Sequence, residues 1–420
     1  MQRIFTLLAA VAALLVAAAP AGASTLGSRI SAIVQHSGYA GSGTSISIWD
    51  DTSRRWVYLH NGRVELKPAS NMKLTTAVTA LGRIGTAAQL QTRVFVTGTR
   101  SGSRLDGNLF LVGGGDPSFS NSRYSARRFG GSSGSVRDLA AAVKAAGITR
   151  ITGRVLGDES RFDRVRTGPY WRRIYWMDCP PISALSVNQG WKRLGSIYSY
   201  RNQALRAAQV FRDALIARGV RVAGTAGTAW RPGSATELAV EKSPPMYRLI
   251  RQMNVPSDNF HAEVLNKDIA VARGMAGTTA NGRFVTRRYL RSLGVNLSGA
   301  RLYDGSGLSY ANRISSRQLL ALLLAANRQR YGYWFRASLP VAGVSGTLRT
   351  RMTSGPAYTN ARAKTGTLRD ASALSGYVRS ANRHRMVFSI LVNHSPYLDT
   401  DAARRLQDRI VQTLAGARPR

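Results

Sequence analysis

Pro68-Ala69-Ser70-Asn71-Met72-Lys73-Leu74-Thr75-Thr76-Ala77 is the stretch that decides how the rest of this chain is read. Met72, Ala77, Val78, Ala80 and Leu81 recur near helical spacing, which predicts a helix over 68–81 stopped by Gly82. Ser70 and Lys73 stand one helical turn apart, so the amine can reach the hydroxyl on a shared face. The helix N-terminus adds a favourable field for an anion developing at that hydroxyl. Alone, Ser-x-x-Lys recurs by chance on capped, solvated helices. Its meaning depends on two later segments, Ser257-Asp258-Asn259 and Lys364-Thr365-Gly366. The first opens a helical pattern over 259–272. The second lies on a short strand near 363–368.

The basic residues single out the same positions. The 420 residues hold 59 Lys plus Arg against 21 Asp plus Glu, a formal charge of +38. Of the 59, 7 are Lys and 52 are Arg. Where any cation would serve, this chain uses Arg. A retained Lys therefore marks a place where an amine able to lose its proton matters, since guanidinium cannot. Drift is the bland alternative for each Lys, but Lys73 and Lys364 both fall inside motifs. A hydrophobic fraction of 44% argues against general disorder, and one cysteine excludes an intrachain disulfide framework and a multi-cysteine zinc site.

Residues 1–23, MQRIFTLLAAVAALLVAAAPAGA, carry a basic start, an apolar run to Ala19 and an Ala-Gly-Ala end. They read as a secretory signal peptide; a membrane anchor is the alternative, for which the run is short. Export moves the partner of the positive charge away from nucleic acid. Anionic cell-wall polymer or a membrane surface is the expected partner, with general solubility as the plain alternative. The expected location is periplasmic or otherwise exported, soluble or peripherally attached to the membrane.

The organisation follows from the pattern. The segments 44–49 and 56–59 form a hairpin signal. From about 92 to 231 Gly, Ser and Arg rise, strands shorten and only 136–146 reads as helix. Strand-like runs stand at 108–112 and 151–156. Helical texture returns at 244–253, three strands follow around 363–368, 373–378 and 386–393, and a final amphipathic helix spans 402–415. The strands near the two ends are expected to pair in one antiparallel sheet.

Ser-x-x-Lys, Ser-Asp-Asn and Lys-Thr-Gly together, in this order, are the signature shared by class A β-lactamases and penicillin-binding proteins. The segments 68–77, Pro256-Ser-Asp-Asn-Phe-His-Ala-Glu263, Asp304-Gly-Ser-Gly-Leu-Ser309, Gly346-Thr-Leu348 and Ala363-Lys-Thr-Gly-Thr-Leu368 resemble D-alanyl-D-alanine carboxypeptidase/endopeptidases of the penicillin-binding protein 4 type, the low-molecular-mass class C. So do Gly113-Gly-Gly-Asp-Pro117 and Ser183-Ala-Leu-Ser-Val-Asn188. The resemblance implies an α/β (α+β) fold: an antiparallel sheet flanked by helices plus an all-helical part, interrupted by an inserted domain rich in short strands. Ser70 and Ser257 lie 187 positions apart, which leaves room for that insertion. The expected division is a discontinuous catalytic domain, 24–91 and 238–420, around an insert at 92–237, with a third nested domain reduced or absent.

The resemblance also implies roles. Ser70 attacks the peptide carbonyl and Lys73 is its base, its pKa lowered by burial and by the nearby Lys364 cation. Ser257 relays a proton to the leaving nitrogen, and Asn259 holds the acyl-side amide and Lys73. Lys364 draws the substrate carboxylate, Thr365 and Thr367 hydrogen-bond it, and Gly366 lets substrate lie against the strand. The N–H groups of Ser70 and Thr367 form the oxyanion hole. Substrates are peptidoglycan stem peptides, β-lactams are covalent inhibitors, and no cofactor or metal is called for. A β-lactamase is the nearest alternative, disfavoured because no Glu follows Glu263, which reads as a helix residue. A catalytically idle wall scaffold is another. Asp304-Gly-Ser-Gly reads as a structural turn near the site, Cys179 as a buried thiol, and the aromatics at 170–176 as part core and part contact surface.

Overall fold

Met386-Val-Phe-Ser-Ile-Leu-Val392 sends alternate side chains into two different cores, and that alternation organises the molecule. Met386, Phe388, Ile390 and Val392 enter one apolar cluster, while Val387 and Leu391 enter another. The computed structural model describes residues 25–419, so the signal-peptide reading lies outside the described residues.

The chain begins with α1 (Leu26–Gln35), β1 (Thr44–Asp50), β2 (Arg55–His60), β3 (Glu65–Leu66), a 3-10 turn at Ala69–Asn71 and α2 (Met72–Arg83). Short elements follow: β4 (Gln91–Val96), β5 (Thr99–Ser101), β6 (Arg104–Asp106), β7 (Leu109–Val112), α3 (Ser122–Phe129), α4 (Val136–Ala145), β8 (Arg150–Ile151) and β9 (Val155–Asp158). Then come α5 (Gln203–Ala217), β10 (Arg221–Val222), β11 (Ala226–Thr228) and β12 (Thr236–Lys242). The remainder holds α6 (Met246–Asn254), α7 (Asn259–Val271), α8 (Thr279–Ser292), β13 (Ile314–Ser315), α9 (Ser316–Asn327) and α10 (Gly332–Ala337). It closes with β14 (Arg362–Leu368), β15 (Ala371–Arg379), β16 (Arg385–Asn393) and α11 (Thr400–Gly416).

The principal sheet is antiparallel in the order β14-β15-β16-β1-β2, so strands from the two ends of the chain do pair, with Ile46 opposite Ile390. On one face α1 and α11 bury Ile30, Val34, Leu406, Ile410 and Leu414. On the other, α2, α6, α7, α8 and α9 supply Met72, Val78, Leu249, Leu265, Leu290 and Leu320. Serines mark the places where the second face meets α9: Ser45 and Ser47 each bond Ser316 at 2.8 Å. The strand β14 is an edge of this sheet, bridged on its outer side at Arg362 by Val341.

Between α2 and α6 the chain builds two more sheets, β11-β9-β7-β4-β12 and β10-β8-β6-β5. Val94, Leu111, Leu139, Val143, Phe211 and Leu215 form their shared core with α4 and α5. Three ion pairs clamp this region to α7 and its N-cap: Arg161–Asp268 at 2.9 Å, Lys267–Asp163 at 2.5 Å and Arg128–Asp258 at 2.5 Å.

Local departures from the sequence reading have physical causes. Gly82 does not stop α2; it lies inside the helix, where a Cβ would stand 2.0 Å from the Tyr289 hydroxyl of α8. Close helix packing, not termination, requires that glycine. The run at 151–156 is two strands, because Gly153 turns against Gly107 and carries the chain from one small sheet to the other. The helices α3 and α5 were not expected. Yet Ala204, Ala207, Ala208, Phe211 and Leu215 are all buried along α5 at helical spacing, and Asn202 caps it.

Candidate active site

The 3-10 turn at Ala69–Asn71 delivers Ser70 to the start of α2, and the preceding Ala69 takes a φ of +47°. Such a conformation costs a non-glycine residue free energy, so the fold holds the turn in place by packing. The contacts are close: a Cβ on Gly307 would stand 1.9 Å from the Ala69 carbonyl oxygen. Asn71, fully buried, donates from Nδ2 to the Lys364 carbonyl at 3.0 Å and so ties the nucleophile turn to β14.

Lys73 lies beneath Ser70 with no solvent exposure. Its Nζ is 3.0 Å from Ser70 Oγ, 2.7 Å from Asn259 Oδ1 and 2.8 Å from the Ser306 carbonyl. Two of those three neighbours are obligate acceptors. A neutral amine therefore spends both N–H bonds on Asn259 and Ser306, and its lone pair is left facing the Ser70 hydroxyl. Burial lowers the Lys73 pKa to about 8, against the opposing pull of Asp304, Glu263 and Asp258.

A second hydroxyl–amine pair faces the first. Lys364 Nζ donates to Ser257 Oγ at 2.8 Å and to the Thr365 carbonyl at 3.1 Å. Burial, and then repulsion from Lys73, push the Lys364 pKa well below the ordinary amine value. The mutual repulsion expected to lower Lys73 is thus felt at Lys364, while burial dominates at Lys73. Ser257 holds a φ of +64° just ahead of Asp258, whose carboxylate caps α7 through the His261 N–H at 2.9 Å.

Ser70, Ser257, Asn259, Thr365, Gly366 and Thr367 line one cleft of about 530 Å³; Lys73 and Lys364 are fully buried. The candidate residues thus converge on one cleft. One expected reason is corrected. A Cβ on Gly366 would point at the nucleophile turn, 2.8 Å from the Pro68 carbonyl and 3.1 Å from Ala69 Cβ. Glycine there lets β14 pack against the turn. Gly366→Ala is expected to leave secondary structure intact yet slow penicillin acylation at least about tenfold, since small misplacements of a reacting pair cost that much or more. Stopped-flow acylation rates beside circular dichroism check this.

Several groups at the site were not legible as such. The Ser306 carbonyl holds Lys73, and Glu263 in turn holds that loop through Oε1, which accepts from the N–H groups of Gly305 at 3.0 Å and Ser306 at 2.7 Å. Burial, then Asp304, raises the Glu263 pKa to about 7. Glu263 is fully buried, so it supports the loop from behind and does not enter the cleft. Thr365 Oγ1 donates to Thr347 Oγ1 at 2.7 Å, and Asn259 Nδ2 donates to the Asp178 carbonyl at 3.1 Å. Trp171 Nε1 donates to Asp304 Oδ2 at 2.8 Å and Tyr175 lines the cleft, while Tyr170 and Trp176 are exposed. Backbone carbonyls carry no residue signature, so only the Asp-Gly-Ser-Gly and Gly-Thr-Leu blocks hinted at them.

The model of the D-Ala-D-Ala carboxypeptidase 3 (S13) family matches residues 26–199 and 192–417. The chain is 30% identical to the D-alanyl-D-alanine carboxypeptidase of Actinomadura sp. (strain R39), over 96% of this chain and 88% of that one. It is 31% identical to the carboxypeptidase DacB of Mycolicibacterium smegmatis, over 79% of this chain and 72% of that one. The crystal structure of penicillin binding protein 4 (dacB) from Haemophilus influenzae shares the fold, with a TM-score of 0.78, 21% identity and coverage of 92% of this chain and 98% of that chain.

Proposed function

The chain belongs to the D-Ala-D-Ala carboxypeptidase 3 (S13) family, and from that premise we propose that it is a serine D-alanyl-D-alanine carboxypeptidase and DD-endopeptidase working through an acyl-enzyme on Ser70. The observation that carries the reading is the placement of Lys73 Nζ 3.0 Å from Ser70 Oγ, with Asn259 Oδ1 and the Ser306 carbonyl positioned to take both N–H bonds of the neutral amine. Ser70 Oγ adds to the carbonyl of a D-Ala–D-Ala bond as its proton passes to Lys73. The tetrahedral oxyanion is held by the N–H groups of Ser70 and Thr367. The proton then reaches the leaving nitrogen through Ser257, and water releases the acyl group. Thr365, Thr367 and Lys364 face the carboxylate of the departing residue, and Asn259 faces the acyl-side amide.

In this reading residues 92–237 form an inserted domain, supported by two sheets and a core that lie mostly within those bounds, although the edge strand β12 and the buried Ala239 run past them to Lys242. No helix among the described residues is long and apolar enough to cross a membrane. The enzyme acts outside the cytoplasmic membrane after removal of residues 1–23, and β-lactams acylate Ser70 as stable inhibitors. A β-lactamase assignment is disfavoured because Glu263 is sealed behind the 304–307 loop, away from deacylating water. The test is digestion of purified pentapeptide and cross-linked muropeptides, with products identified by mass. Release of D-Ala or of uncross-linked monomers, abolished by benzylpenicillin, is expected. Rapid turnover of penicillin with both muropeptides untouched would instead make the enzyme a β-lactamase.

A further inference from the structure

Arg54, Arg328, Arg336, Arg362, Arg379 and Arg385 line a groove of about 760 Å³ beside the end of the principal sheet. Composition alone would place fewer than two arginines among its 14 lining residues. The single carboxylate of the lining, Asp51, pairs with Arg385 at 3.5 Å, and Arg336 donates to Asn327. Among the described residues Arg54, Arg328, Arg362 and Arg379 have no carboxylate within ion-pair distance. Three different elements and a turn converge to make this array, and in the free protein its charges repel one another.

The rest of the lining narrows the ligand. The amide of Asn360 is spent on the main chain of Arg379, accepting from its N–H at 3.1 Å and donating to its carbonyl at 2.8 Å. The Tyr377 hydroxyl donates to the Leu323 carbonyl at 2.7 Å. Beyond Asp51 and the Thr52 hydroxyl, which accepts from the Arg385 N–H at 2.9 Å, the polar side chains left in the lining are guanidinium groups, which only donate. A peptide would find few acceptors for its own N–H groups. A phosphate chain offers acceptors only, and guanidinium forks match its oxygens in pairs. Val378, Met386 and Val387 are buried, so no apolar side chain projects for insertion into a lipid layer. Tyr377 is the one aromatic of the lining and is half-buried, so no open ring is offered for stacking on a base.

We propose that this groove binds a phosphate-rich linear polymer and holds the enzyme on it during catalysis. Arg362 stands two residues before Lys364 on β14, a rise of about 7 Å along the strand, so a bound polymer would run close to the catalytic cleft. The proposal goes beyond the peptidase reading and stands on observations independent of it.

The test uses the whole protein and end-labelled long-chain inorganic polyphosphate, with binding followed by fluorescence anisotropy across a salt series. The exposed groove residues are changed together as R54Q/R328Q/R379Q. The comparison is R123Q/R137Q/R193Q, exposed arginines in the 92–237 region that remove the same charge. The groove variant is expected to bind about tenfold more weakly or worse, with the slope of log K against log salt reduced by roughly two to three. The comparison variant is expected to lose less than about threefold. Penicillin acylation in both variants should match the unaltered protein, which shows that each folds. Arg328→Glu, one exposed change at a helix end, repeats the test if the triple variant fails that check. Equal losses in the two triple variants overturn the proposal, because binding is then diffuse. Groove-dependent binding to phosphatidylglycerol vesicles without binding to polyphosphate overturns it in favour of a membrane. Groove-dependent affinity for poly-glutamate equal to that for polyphosphate overturns the phosphate preference.

Discussion

Ser70→Ala is expected to abolish covalent labelling by penicillin and to cut D-Ala release at least about 10⁴-fold, because the nucleophile and its base act as one unit. The site holds two serine–lysine pairs: Ser70 with Lys73 at 3.0 Å and Ser257 with Lys364 at 2.8 Å. Hydrogen-bond distance does not separate them. Charge does. Ser257 is bonded directly to Asp258, a buried carboxylate that stays ionised: burial works against it, but His261 and Arg128 hold its pKa well below the usual carboxylate value. An oxyanion forming at Ser257 would meet that anion at once. Ser70 instead opens α2, where the helix field favours negative charge. The fold should survive the change, because Ala69 and Asn71 fix the turn without the Ser70 hydroxyl. Mass mapping of a labelled peptide from the unaltered protein checks the assignment. A label on Ser257 in Ser70→Ala would move the nucleophile to the other pair.

How far the sequence could carry this follows from the kinds of atom involved. Ser70, Lys73, Ser257, Asn259, Lys364, Thr365, Gly366 and Thr367 are marked by a side chain or by its absence, so residue type at fixed spacing brought them out as candidates. The strands β14 to β16 and the helix α11 were equally plain, since two buried faces impose a regular pattern. What holds Lys73 in its working geometry was hidden, because the Ser306 oxygen is main chain and Glu263 reaches it from another helix. Gly82 and Gly366 were misread for a related reason. A glycine looks like a stop or an opening in sequence, whereas here each marks a neighbour too close for a Cβ. The helix α5 carried its periodicity openly, but a surrounding texture of Gly, Ser and Arg masked it.

Lys73→Met should slow acylation about 10³-fold or more, the span expected on losing a general base, and should change stability in a pH-dependent way, since removal of a buried charge opposes loss of the bonds to Asn259 and Ser306. Methionine keeps an unbranched chain of similar volume, so packing beneath Ser70 is preserved. It removes an amine that burial disfavours in its charged form. Burial lowers the folded pKa of Lys73 to about 8, below the ordinary amine value of 10.5. Between those values the unfolded chain binds the proton and the folded chain does not, so the lysine's contribution to stability rises with pH across that window. Below about pH 8 both states carry the charge, and the folded state bears its full cost. The melting temperature of Lys73→Met relative to the unaltered protein should therefore be highest below pH 8 and fall toward pH 10.5. Acylation of the unaltered protein runs with the same group: its rate should rise about tenfold per pH unit below 8 and level above it, as the neutral base becomes the major form. Differential scanning calorimetry and stopped-flow acylation over one pH series give both curves. A rate that stays flat through pH 8, with an unchanged stability difference, would show that another group is the base. Agreement of the two midpoints would tie the cost of burying this amine to its use as a base.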